Sequence, residues 1–263
     1  MCFDIGITTT TGHDALGTAL LKPSPPSDVN ATLVDDCGRT EEYTSCTDQS
    51  RCHFQHALHD FRRVIHDPEL LRIASTIAVF TTDLKLWYET GKCAVDSLEL
   101  QKHASLLLYR LFNWHQNQEG TIFHANACTS PVDRSICLAL LIFMVYATEP
   151  NAGSLSGRLL KATIKLRFCV QQVPMSQWVS EPNLFFWILT MGALGAESPS
   201  KGRTLPDLGS ELMFFRDYLR RAFPTETCNH ATSAEYLLRR ARECLWIPSI
   251  LDERAKAMWT AMG

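Results

Sequence analysis

The stretch Pro182-Asn183-Leu184-Phe185-Phe186-Trp187-Ile188-Leu189-Thr190-Met191-Gly192-Ala193-Leu194-Gly195-Ala196 decides the reading of the fold. From Leu184 onward it is apolar or small at every position except Thr190. No alternation of apolar and polar residues marks a half-buried strand, and Pro182 suits the first position of a helix. A helix that is apolar all round belongs in the middle of a helical bundle. Trp187 is then expected to be its largest buried group. Gly192, Ala193 and Gly195 are expected to let a neighbouring helix come close.

Working outward, the same pattern recurs along the chain. Phe54, Ala57, Leu58, Phe61, Val64 and Ile65 recur at spacings of three and four, one face of a helix. Asp67-Pro68 ends that helix and starts a second, with Asp67 as cap, running to about Thr90 with Gly91 as the C-terminal cap. A third opens near Ser97 and should fray before Gly120. A fourth starts at Pro131, with Asp133 in its first turn, and stops before Pro150. Ser154 is expected to cap a fifth, Leu155 to about Gln172. After the sixth at Pro182, a seventh spans about Asp207 to Ala222 and an eighth about Ser233 to Trp246. Ser249 caps a ninth that reaches Trp259. No run of period two bounded by hairpin turns is present, so the fold class is all-α, an irregular domain of about nine helices over residues 51–263.

Residues 1–50 differ in kind. They hold nine Thr, four Ser, three Pro and only two aromatics, Phe3 and Tyr43. Eight acids face two bases, Lys22 and Arg39, a formal charge of −6 that leaves +3 for the remainder of a chain whose total is −3. So polar a segment buries too little to offset the entropy of ordering, and 1–50 reads as a disordered acidic tail. The mild +3 is not the strong basic excess of a dedicated nucleic-acid binder.

The ten cysteines include no C-x-x-C pair, so the usual zinc spacing is absent. Met1 to Leu21 holds no Lys or Arg, which argues against a secretory signal and for reduced thiols. Cys137, Cys169 and Cys244 lie in apolar runs and read as small core residues. The longest apolar runs, Ile136 to Ala147 and Leu184 to Ala196, fall short of the roughly 20 residues of a membrane span. No membrane partner is expected.

No catalytic motif survives inspection. Gly91-Lys92-Cys93 lacks the glycine and hydroxyl residue of a phosphate loop. Gly153-Ser154-Leu155-Ser156-Gly157 has Leu155 where a nucleophile elbow needs serine. His53, His56, His59 and His66 share the first helix. At 100° per residue, His56, His59 and His66 fall opposite its apolar stripe and face solvent. Asp35-Asp36 and Glu41-Glu42 lie in the tail. Asp252 and Glu253 read as first-turn acids that suit the helix dipole. Arg239, Arg240 and Arg242, with Arg220 and Arg221 upstream and Glu235 and Glu243 interspersed, read as a solvated face. Catalytic, cofactor, metal and DNA-binding residues are therefore all expected to be none.

The Pro182–Glu197 segment resembles a recurring part of the fungal-specific transcription factor domain, a Pro followed by an apolar run with Trp and a small-residue end. Asp133-Arg134-Ser135-Ile136-Cys137-Leu138-Ala139-Leu140-Leu141-Ile142-Phe143 is similar to that family's Arg-then-apolar helix. Glu243-Cys244-Leu245-Trp246 and Asp252-Glu253 to Trp259 are similar to its closing segments. The likeness spans roughly residues 65–263. It implies an all-helical regulatory region, a nuclear location, and a protein partner or small effector. The family's zinc binuclear cluster needs six cysteines with two C-x-x-C pairs and a following basic run. Cys37, Cys46 and Cys52 have the wrong spacing, so direct DNA binding is not implied. The alternative is a helical metabolic enzyme or small-molecule binder with an apolar pocket, which paired carboxylates or His of perturbed ionisation would favour. Limited proteolysis is expected to strip 1–50 and leave a helical core of about 210 residues, read by mass and far-ultraviolet circular dichroism; a strong β signal would defeat this reading.

Overall fold

The computed structural model describes residues 59–91, 95–120, 130–149, 156–196, 206–223 and 233–260. The tail 1–50, His53, His56 and Ser154 lie outside them. Among the described residues there is no strand, and the protein is all-α. Helix α1 is described over residues 59–64. It is followed by α2 (Pro68–Thr90), α3 (Ser97–Gly120), α4 (Pro131–Thr148), α5 (Ser156–Gln172), α6 (Pro182–Ala196), α7 (Pro206–Ala222), α8 (Ser233–Ala241) and α9 (Pro248–Thr260). A single 3-10 turn, Met175–Trp178, lies between α5 and α6.

Local signals set several ends. The Asp67 carboxylate accepts from the Leu70 amide at 2.8 Å, with Pro68 next to it at the helix start. Gly91 closes α2 at φ 67°, the left-handed region that favours glycine, and its N–H donates to the Trp87 carbonyl. The Ser130 hydroxyl accepts from the Val132 amide ahead of α4.

Helix α6 is central. It touches α4, α5, α7, α8 and α9, and every residue from Leu184 to Ala196 is buried. Trp187 heads the fully buried side chains by size. Its ring centroid lies 6.3 Å from Phe61 and 6.1 Å from Phe143, and its indole N–H donates to the Leu245 carbonyl at 2.7 Å. The two glycines act as expected from the sequence. A Cβ on Gly192 would overlap the Phe215 ring of α7, and one on Gly195 would lie 2.6 Å from Thr163 Oγ1 of α5. Around this axis the buried apolar residues form one contiguous cluster. Helices α2 and α3 run antiparallel on its outside, with Arg110 reaching Glu69 at 3.0 Å.

Four details depart from the sequence reading. Helix α3 does not fray early but runs to Gly120. Trp114 and His115 are buried near that end, and the Trp114 indole donates to Asp67 at 3.0 Å, so tertiary contact sustains the last turns. Helix α8 stops at Ala241 rather than Trp246. The chain there turns through bonds from the Glu243 and Cys244 amides to the Arg240 and Ala241 carbonyls, which brings the Leu245 carbonyl to Trp187. Helix α9 begins at Pro248, so Ser249 lies inside it and Asp252 in its second turn. Helix α4, at 18 residues and mean hydropathy 1.5, is long and apolar enough to cross a membrane, unlike the shorter run read from sequence. In the bundle 83% of it is buried.

Removing a buried Trp side chain typically costs about 3–5 kcal/mol through lost transfer energy and a cavity. That is a large share of a typical domain stability of about 5–15 kcal/mol. Trp187→Ala is therefore expected to unfold or aggregate the protein, while Tyr109→Ala, at 64% exposure on α3, changes stability by less than about 0.5 kcal/mol. Thermal melts of the two variants check this. An unchanged Trp187→Ala transition would remove Trp187 from the centre of the core.

Candidate functional site

The polar groups with most chemical potential gather where α1 meets the start of α6. Glu181 precedes Pro182, and its backbone carbonyl accepts the Phe185 amide in the first turn of α6. Its side chain is only 6% exposed. From α1, Arg63 reaches it with Nη1 2.9 Å from Oε1. Asp60, 19% exposed, neighbours the same carboxyl. His59 follows, its Nδ1 3.7 Å from Asp60 Oδ1. Helix geometry explains the set: Asp60 and Arg63 are three residues apart and share a side of α1, while Phe61 turns inward to Trp187.

Burial pushes the Glu181 carboxyl up, and the neighbouring Asp60 adds to that by charge and by hydrogen bonding. Arg63 and His59 pull it the other way. A negative charge beside a buried carboxyl disfavours its ionised form. Cys244 lies close by, and burial, reinforced by Asp60, Glu243 and Glu181, pushes its thiol well up. It stays a thiol and is no nucleophile. The arrangement can therefore hold or release a proton, but it carries no activated nucleophile. Among the described residues no three His, Cys, Asp or Glu side chains gather to hold a metal ion.

A second polar knot is structural. Asp133, in the first turn of α4, is 3% exposed at its side chain and accepts two backbone N–H groups from the turn between α1 and α2. These are His66 to Oδ1 at 3.1 Å and Asp67 to Oδ2 at 3.0 Å. Burial pushes the Asp133 carboxyl up against the downward pull of both bonds. Its role goes beyond the first-turn acid read from sequence.

The basic cluster is only partly the solvated face expected. Arg240 stands over the Phe223 and Phe186 rings, 4.5 and 5.6 Å from their centroids, and its Nε donates to Asn183 Oδ1 at 2.9 Å. Asn183 in turn donates to Glu243. Arg242 binds Asp252, and Trp246 Nε1 donates to Asp252 Oδ1 at 2.8 Å. Arg239 and Arg220 remain outside, Arg220 near Asp217. His59 and His66 do face solvent, at 65% and 75% exposure. Cys137, Cys169 and Cys244 are buried as expected.

No protein-family model, no curated protein and no solved structure matches this chain. The residues missed from sequence are Asp60, Arg63 and Glu181. An acid directly before a proline-led apolar helix was a visible signal for Glu181. Its partners on α1 were not, because the helices meet only in the fold.

Removing the Asp133 acceptor leaves two backbone N–H groups without their partner. Bonds to charged acceptors are worth about 1.5–3 kcal/mol. Asp133→Ala is expected to lower stability by about that much, and Asp133→Asn, which keeps an acceptor, by less. Urea unfolding at neutral pH measures both. An alanine variant as stable as the wild type would exclude this role.

Proposed function

We propose that this chain is a helical regulatory or interaction module of the fungal transcription-factor type, without its own DNA-reading cluster. One observation carries the reading. The three segments on which the resemblance rests, far apart in sequence, meet at neighbouring residues of α6. Phe143 from the upstream segment lies against Trp187. Leu245 from the closing segment accepts the Trp187 indole N–H, and Trp259 from the last helix lies 5.9 Å from Phe186. A shared core of this kind is what a common ancestral fold would keep. The module would work in the nucleus by binding a protein partner or a small effector.

A second reading, an enzyme or small-molecule binder, is favoured by Glu181, a buried carboxyl beside Asp60 whose ionisation is pushed up, since perturbed carboxyls are common at catalytic sites. The Arg63 contact weighs against it, because Glu181 is already engaged within the protein.

Two measurements test the module. Fused to a heterologous DNA-binding domain in fungal cells, the full chain is expected to change reporter output relative to that domain alone. Output equal to the control would reject the proposal. The purified chain is expected to give no sequence-specific mobility shift with duplex DNA at physiological salt, since phosphate neutralisation needs clustered Lys and Arg. Here Arg240 and Arg242 are turned to neighbours within the fold. A specific shift would overturn that expectation.

A further inference from the structure

We propose that the proline-rich stretch Lys22-Pro23-Ser24-Pro25-Pro26-Ser27 of this chain docks on the aromatic face formed by α5, α7 and the 3-10 turn before α6. The proposal goes beyond the regulatory reading and does not depend on what the chain regulates.

The face is a line of rings, each in contact with the next. Trp178 of the 3-10 turn stacks on Phe185 at 4.8 Å, and Phe185 meets Tyr218 of α7 edge-on at 6.1 Å. Tyr218 lies 5.3 Å from Phe214, and Arg167 of α5 stands 4.9 Å over the Phe214 ring. Trp178 and Phe185 are buried, whereas Phe214 and Tyr218 are only half-buried. Nearby, Phe168 follows Arg167 on α5 at 57% exposure, and Val179 follows Trp178 at 72%. Rings held in place by their neighbours lose little entropy when a ligand covers them. The Trp178 indole N–H is buried and has no acceptor among the described residues. Gln177 and Val179 on either side of it are exposed, so this donor lies at the edge of the fold. A carbonyl that reaches it there removes the cost of an unmade bond.

Proline chemistry suits such a face. A proline-rich segment has its φ angles fixed in advance and makes no internal hydrogen bonds, so its carbonyls stay open to outside donors. Its rings pack on aromatic side chains at little entropic cost. The three prolines of residues 1–50 all fall at 23, 25 and 26.

The path of the chain names the occupant. Residues 1–58 precede His59. One turn on from His59, Arg63 binds Glu181 at 2.9 Å, and the Glu181 amide donates to the Trp178 carbonyl at 3.2 Å. The N-terminal segment therefore joins the bundle beside this face. Ser27 to Leu58 links the prolines to that point, and a chain of this length reaches up to roughly 100 Å when extended. Tethering presents the prolines at an effective concentration on the order of millimolar. A second copy of the chain at micromolar concentration has no such advantage.

Two measurements on the full-length chain test this. A photoreactive benzophenone side chain placed at Ser24 is expected to cross-link within the same chain to Phe168–Val179 or Phe214–Tyr218. Val179→Asp, at an exposed site, puts a charge on the face and should lower that yield by at least about half. In hydrogen exchange, the combined Pro23→Ala, Pro25→Ala and Pro26→Ala variant leaves the bundle's own sequence unchanged. It should lower amide protection over Gln177–Glu181 by at least about threefold and leave α4 as it was. A synthetic Leu21–Asp28 peptide, added to that variant at about millimolar concentration, should restore the protection, and the same peptide with alanine for proline should not. Cross-links mainly between chains would assign the face to a second copy and overturn the proposal. So would links scattered over the bundle, a yield unaffected by Val179→Asp, or an exchange profile unchanged in the alanine variant. Failure of the proline peptide to restore protection, or success of its alanine version, would overturn it as well.

Discussion

The rest of the structure depends on α6 having no polar face. A helix buried from Leu184 to Ala196 must be enclosed on every side, and helices α4, α5, α7, α8 and α9, with Phe61 of α1, supply that enclosure. Trp187 fixes where they meet. Its ring needs apolar partners around it, which Phe61 and Phe143 provide, and its indole N–H needs an acceptor in a place water does not reach. The Leu245 carbonyl fills that need only because α8 ends at Ala241 and the chain turns. One buried donor thus sets the path of a segment far away in sequence. Gly192 and Gly195 have no side chains, and α7 and α5 close in over them.

A core so apolar pushes its polar side chains to the rim, where helices begin and end. The three knots found there share a logic. Asp133 binds the backbone of the α1–α2 turn, Asp60 and Arg63 address the residue before α6, and Arg240 joins α8 to Asn183 at the start of α6. Helix ends leave backbone groups unpaired, and the joints between them gather charge and hydrogen bonds. Each knot ties together elements that the apolar core brings near but does not hold in register. Helix α4 shows the same division, with its charged residues Asp133 and Arg134 and Ser135 near its start, Thr148 at its end and an apolar run between that only the Tyr146 hydroxyl interrupts.

This division bears on function. The core contributes shape and stability, and burial pushes its Cys137 and Cys244 thiols well up. The ionisable groups that can respond to the surroundings sit at the joints. A regulatory module benefits from such an arrangement, because a change at a joint alters how two elements meet without disturbing the core that both rest on. A partner or effector acting there would have a small free-energy difference to overcome, whereas one acting on α6 would have to open the core itself.

The sequence by itself determined the helices and their burial. Proline at a helix start, Asp67 before Pro68, Gly91 after Thr90 and the apolar run from Leu184 act within a few residues, so their meaning survives without a fold. The inward Trp187 and the close approach at Gly192 follow from the same run, since a helix apolar all round leaves no other place for them. The tertiary structure decided which ends meet. The 3-10 turn before α6 exists with Trp178 stacked on Phe185 at 4.8 Å, a contact no local pattern announces. The early end of α8, the double acceptance by Asp133 and the pairing of Asp60 with Glu181 likewise depend on groups far apart in the chain. Their energies come from desolvation and charge proximity, which act through space, so a linear reading of residue types does not contain them.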